Sequence, residues 1–246
     1  MSRKKLIITG AVLAAVLLIG GLLAYFTDTT APTNNVFTVG DKVKIKLNEV
    51  WEPKDGEGIA TGETKTKQPT VENIGGNDAY VFMKVVVPKY FDKTANGGAG
   101  AWVEAFSYTK NDGWAQVASN TSSANGKSTS SVYVYAYATD ADAAMTKLNK
   151  STADSGKETT ALFNEVTFLP GKDKATYDFT AVDNYSATPT VSEVKKSMNI
   201  DLTGYAIQTT GLTTGKGSST PATTAQQIYD SCLTASVADG GLGNII

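Results

Sequence analysis

The run AYVFMKVVV, Ala79 to Val87, is dense in aromatic and β-branched residues and stops at Pro88. Such a run fits a pleated surface and little else, so it predicts a central strand. The rest of the chain repeats this preference at period two. KVKIKL (42–47) sets Val43, Ile45 and Leu47 on one face and Lys42, Lys44 and Lys46 on the other, the pattern of a half-buried strand. VYVYAYA (132–138) alternates Tyr133, Tyr135 and Tyr137 with Val132, Val134, Ala136 and Ala138, and either face suits a core. IDLTGYAIQ (200–208) places Ile200, Leu202, Gly204, Ala206 and Gln208 opposite Asp201, Thr203, Tyr205 and Ile207.

Further strands are expected at 69–73, 162–169 and 175–182, each near Gly or Pro turn residues. Seven short strands separated by turns predict an all-β fold, a jelly-roll-like antiparallel β-sandwich with long loops and one or two short helices. One helix is expected after Ser219-Thr220-Pro221, with Ile228 and Cys232 on one face, and a shorter one over Ala141–Leu148. The Gly/Ser/Thr/Asn tracts at 96–100, 119–131 and 213–220 are expected as surface loops, because they bury too little apolar area to offset their ordering entropy. Residues 42–246 thus read as one sandwich domain with a large loop-rich insertion around 91–157.

The N-terminus follows another logic. Arg3, Lys4 and Lys5 precede a stretch free of charge from Leu6 to Ala24, the layout of a secretory signal peptide over residues 1–24. Gly20-Gly21 breaks the helix before Ala24, which puts the cleavage between Ala24 and Tyr25. The alternative is a retained segment anchoring the chain in a membrane. Without its three leading basic residues the chain has 19 basic against 24 acidic side chains, a net charge of about −5, which argues against a nucleic-acid partner. Cys232 is the single cysteine, so no intramolecular disulfide forms, and histidine is absent. Catalysis by Ser-His-Asp or Cys-His and zinc sites of the HExxH type are therefore excluded.

AYFTDTTAPTNNVFTVGDKVKIKLNEV, Ala24 to Val50, closely resembles the start of the TasA and camelysin family of secreted proteins processed by a SipW-type signal peptidase. An aromatic-Phe-x-Asp start is followed by a spacer and by N-x-F-x-x-G, here Asn35, Phe37 and Gly40. The likeness continues in PTVENIGGNDAYVFMKVVVP (69–88) and in IDLTGYAIQ (200–208), and does not extend over 91–157. The resemblance implies a jelly-roll subunit of extracellular fibres in the biofilm matrix of a Gram-positive bacterium, located in the matrix or at the cell surface. In that family the mature N-terminus is donated as a strand to the next subunit. Residues 25–41 then form a donor arm and linker, with Tyr25, Phe26, Val36 and Phe37 as its anchors and Thr27 to Asn35 as the polar spacer. The implied partners are copies of the chain itself, the signal peptidase, and an accessory matrix or anchor protein.

Two other readings compete. One is a membrane-anchored monomeric surface adhesin. The other is a camelysin-like metallopeptidase, which the missing histidine opposes. Asp28, Asp140 and Asp142 lack the further ligands and turn glycine of a calcium loop. No catalytic residue, metal or cofactor is expected.

Overall fold

Period two dictates the main sheet. In the computed structural model, which describes residues 27–29, 43–51, 62–92, 95–98, 100–124, 127–169, 177–178, 200–215 and 218–234, the apolar run becomes β5 (Ala79–Asp92) at the sheet's centre. The other strands are β1 (Thr27–Thr29), β2 (Ile45–Asn48), β3 (Thr64–Thr66), β4 (Thr70–Asn73), β6 (Ala101–Glu104), β7 (Phe106–Ser107), β8 (Trp114–Ala124), β9 (Lys127–Tyr137), β10 (Glu165–Phe168), β11 (Tyr177–Asp178) and β12 (Asp201–Gln208). The main path runs β1-β12-β5-β9-β8, with β6 and β11 pairing the far end of β5; β3-β10-β7 and β2-β4 form two smaller sheets. Every pairing is antiparallel. The chain is all-β with few short helices, as its periodicity predicts.

Both faces of the main sheet are covered. Val81, Met83, Val85 and Val87 of β5, with Leu202 and Ala206 of β12, face the small sheets and pack with Val43, Ile45, Leu47, Val71, Phe163 and Val166. Full burial of such a side chain stabilises by about 1.5–3 kcal/mol. Phe82, Val134, Ala136, Tyr205 and Ile207 point the other way, onto Ala225, Ile228, Tyr229 and Leu233. The tyrosine face of β9 therefore joins the larger core, where Tyr135 is buried with Tyr133 and Tyr137 packed beside it, and its Val/Ala face joins the smaller one. Buried on both sides, the central strands carry apolar residues at successive positions.

The helix α1 (Ala225–Ile228) continues as a π-helical turn, Tyr229–Leu233. It starts at Thr224, not at the Ser219-Thr220-Pro221 cap expected from sequence. Thr224 Oγ1 accepts from Gln227 N at 3.3 Å, and Gln227 Oε1 accepts from Thr224 N at 3.3 Å, closing a capping box. Ala141–Leu148 is not helical. Leu148 instead exchanges backbone hydrogen bonds of 2.8 and 2.9 Å with Ala79, and Met145 bridges Ala138, so the start of β5 holds this segment extended.

The tract 119–131, expected as a loop, is mostly strand. β8 and β9 form a long hairpin, and β9 lies between β5 and β8 inside the sheet. Much of 91–157 thus belongs to the sandwich itself. The buried side chain of Asn73 is satisfied: its Nδ2 donates to the carbonyls of Asn77 (2.8 Å) and Asn149 (3.1 Å), and its Oδ1 accepts from Gly75 N (3.0 Å), whereas the buried Tyr229 hydroxyl finds no hydrogen-bond partner among the described residues. Lys67, also buried, sits 2.6 Å from Glu49 Oε2 and 4.9 Å from the centroid of the Trp51 ring.

Candidate functional site: the outer edge of β12

β12 is a strand with both walls built. Along one side it pairs with β5 over its full length, from Asp201↔Val86 to Gln208↔Ala79. Tyr205 and Ile207 are buried against the helical layer, and Leu202 and Ala206 against the small sheets. Main-chain groups on its outer side therefore lie between two apolar layers, where an added strand gains hydrogen bonds and side-chain burial together.

That side carries β1. Its register is Thr27↔Ile207, Asp28↔Ala206 and Thr29↔Tyr205, antiparallel. The sequence reading makes Thr27 to Asn35 a spacer, and the structure corrects its first three residues to strand. β-branched threonines at 27 and 29 favour extended backbone, and the β12 edge supplies partners for it. β1 spans three of the eight residues of β12. Ala24 and Tyr25 of the expected cleavage site, and the anchors Tyr25, Phe26, Val36 and Phe37, lie outside the described residues, as does residues 1–24 as a whole.

Other titratable side chains among the described residues are held in place by burial and hydrogen bonds. Tyr108 Oη and Tyr135 Oη are 3.1 Å apart, and Tyr133 donates to Glu104. Burial, reinforced by these neighbours, raises the Tyr108 hydroxyl far above the ordinary phenol range and Tyr133 to about 12, so both stay protonated. Burial likewise pushes up the half-buried Cys232 thiol, the opposite of an activated thiolate. Asp140 Oδ1 accepts from Asp142 N at 3.0 Å, so this Asp pair serves a local turn. Among the described residues no group of three or more His, Cys, Asp or Glu side chains is placed to hold a metal ion, and no helix is long and apolar enough to cross a membrane.

The acceptor side of the site was partly visible in sequence. IDLTGYAIQ has apolar residues on both of its faces, which marks a strand buried on both sides. Its position next to the sheet edge is a matter of long-range pairing that no local pattern records. Compared with protein-family models, with curated proteins and with solved structures, the chain finds no match in any of the three.

Proposed function

We propose that the chain is a secreted structural subunit that polymerises head-to-tail, its N-terminal arm pairing with the β12 edge of a neighbouring copy. The observation that supports this reading is the antiparallel register of Thr27–Thr29 on β12. A short arm strand at an edge with both faces covered can be exchanged between copies. The contacts made within one chain recur between chains, so exchange changes little energy, and a heterologous contact of this kind does not close. Thirteen residues, 30–42, separate β1 from Val43; fully extended they reach at most about 45 Å, enough to span to a neighbour. Assembly then needs no catalytic group, metal or cofactor, and no nucleic acid.

Removal of Tyr25 to Phe37 tests it. The truncated mature protein is expected to stay folded and monomeric and to form no fibres by electron microscopy, whereas the intact mature chain does. Normal filaments from the truncated protein overturn the reading.

A second reading rests on the same observation. Because β1 already lies on β12 of its own chain, the subunit is also complete as a monomer, displayed at the cell surface through an uncleaved segment 1–24. Mass spectrometry of protein from cells separates the two: a mature chain starting at Tyr25 supports the fibre subunit, and an intact Leu6 to Ala24 segment supports the anchored monomer.

A further inference from the structure

Strand alternation puts Tyr133 and Tyr135 of β9 on one face, and the chain from the end of β6 past β7 brings two further groups to them, Glu104 and Tyr108. The Tyr133 and Tyr135 rings lie 6.4 Å apart, and Tyr108 meets Tyr135 edge-on at 6.5 Å, both within the range of favourable aromatic pairs. Tyr108 Oη and Tyr135 Oη share a hydrogen bond of 3.1 Å, while the Tyr133 hydroxyl donates to Glu104 Oε1. Three phenols thus stand in contact, and the chain of rings ends on a carboxylate.

A phenol that gives up an electron becomes a strong acid. Its proton must then leave, or a positive charge stays behind in the apolar core at high cost. Tyr108 and Tyr135 have each other's hydroxyl, a poor base. Tyr133 has a carboxylate already in hydrogen-bond reach of the proton it would lose, the geometry that proton transfer requires. Burial and the bond to Glu104 push the Tyr133 phenol up to about 12, so at neutral pH it holds its proton and can lose an electron only as the proton moves. Exposure follows the same order. Tyr135 is buried, whereas Tyr133 and Glu104 are only half-buried and meet solvent.

We propose that Tyr133 is a one-electron oxidation site, with Glu104 as its proton acceptor and with Tyr135 and Tyr108 as relays that pass an oxidising equivalent to it from the core. A small, high-potential one-electron oxidant is the co-reactant. It takes one electron from the Tyr133 ring, the O–H bond breaks, and the proton goes to Glu104 Oε1. The products are a neutral tyrosyl radical, a neutral carboxylic acid and the reduced oxidant. An electron lost first from Tyr108 or Tyr135 is replaced from Tyr133 through the adjoining rings. Oxidising equivalents are thereby drawn out of the core toward a ring that solvent reductants reach. The site lies away from the β12 edge and stands whether or not that edge takes a neighbour's arm.

Photo-oxidation of the full mature chain tests it, with ruthenium(III) tris-bipyridine generated by a light flash as the oxidant. A radical-trapping label followed by peptide mass spectrometry reads which tyrosine reacts first. Tyr133 is expected to be labelled ahead of the other tyrosines, and more slowly in heavy water, because its proton moves with the electron. Glu104→Gln keeps a hydrogen-bond acceptor but removes the base, and is expected to slow labelling of Tyr133 by about 100-fold, the scale of a positioned proton acceptor. Tyr133→Phe is expected to move the label to Tyr135 and Tyr108. Where Glu104→Gln fails to fold, the order of labelling in the parent chain and its heavy-water dependence decide the question. Another tyrosine labelled first in the parent chain, a rate unchanged in heavy water, or an unchanged Tyr133 rate in folded Glu104→Gln overturns the proposal.

Discussion

Asp78 stands at the entry to β5 and ties down the loop that returns beside it. Its Oδ2 is 2.8 Å from Lys147 Nζ and its Oδ1 accepts from Lys150 N at 2.9 Å. The hydrogen bond from Lys147, followed by that from the Lys150 backbone, lowers the carboxyl below its ordinary 3.8. A carboxylate favoured in the folded state contributes stability above its unfolded pKa and loses it as pH falls through the lower folded value. The pair is partly exposed to solvent, so its contribution is small, at most about 1 kcal/mol. Asp78→Asn is therefore expected to lower the melting temperature slightly at neutral pH, and the difference from the parent chain should vanish on acidification below 3.8. Thermal melts across this range check it; a difference that persists or grows in acid contradicts the assignment. At Lys84 burial lowers the ammonium pKa below its ordinary value.

At the scale of elements, the short helix depends on its first turn. α1 and the π-helical turn after it bury Ala225, Ile228, Tyr229 and Leu233 against β5, β9 and β12. Thr224→Ala removes the side chain that caps Gln227 N and should cost about 1 kcal/mol, with fraying seen as faster amide exchange over 225–233. Unchanged exchange there means that packing alone holds the turn. Of the elements, β5 was legible as an almost unbroken aromatic and β-branched run, β12 as a short run with apolar residues on both faces, and the β2 strand because KVKIKL alternates so strictly. The β8-β9 hairpin was half hidden. VYVYAYA announced the end of β9, but Ser119–Ser131 has the composition of a loop, and its strand state comes from pairing across the hairpin and, for β9, with β5 as well. Ala141–Leu148 misled in the other direction. Its apolar spacing suits a helix, yet its backbone groups are taken by Ala79 and Tyr137. Local pattern reports which residues seek burial, and long-range pairing decides in what backbone state they find it. For the same reason the arm read as a spacer from its polar composition, while three of its residues are strand because an edge was waiting for them.

For the whole molecule, the main sheet carries two contrasting edges. The β12 edge lies between two buried layers and takes β1, whereas β8, which among the described residues pairs with β9 alone, carries register shifts between Gln116 and Ala118 and between Ser122 and Ser123. The central claim is that the strand on β12 belongs to a neighbour in the assembled state. The register gives a direct way to ask whose strand it is, because Asp28 and Ala206 are directly paired. Cysteines at both positions, Asp28→Cys with Ala206→Cys on the Cys232→Ser background, should bridge wherever that pair forms. The measurement is non-reducing electrophoresis of oxidised filaments after denaturation. The account predicts a ladder of covalent multimers that collapses to one band on reduction, and a single monomeric band from unassembled protein. Filaments whose bridges are all within one chain, running only as monomer despite complete loss of free thiol, would contradict strand donation.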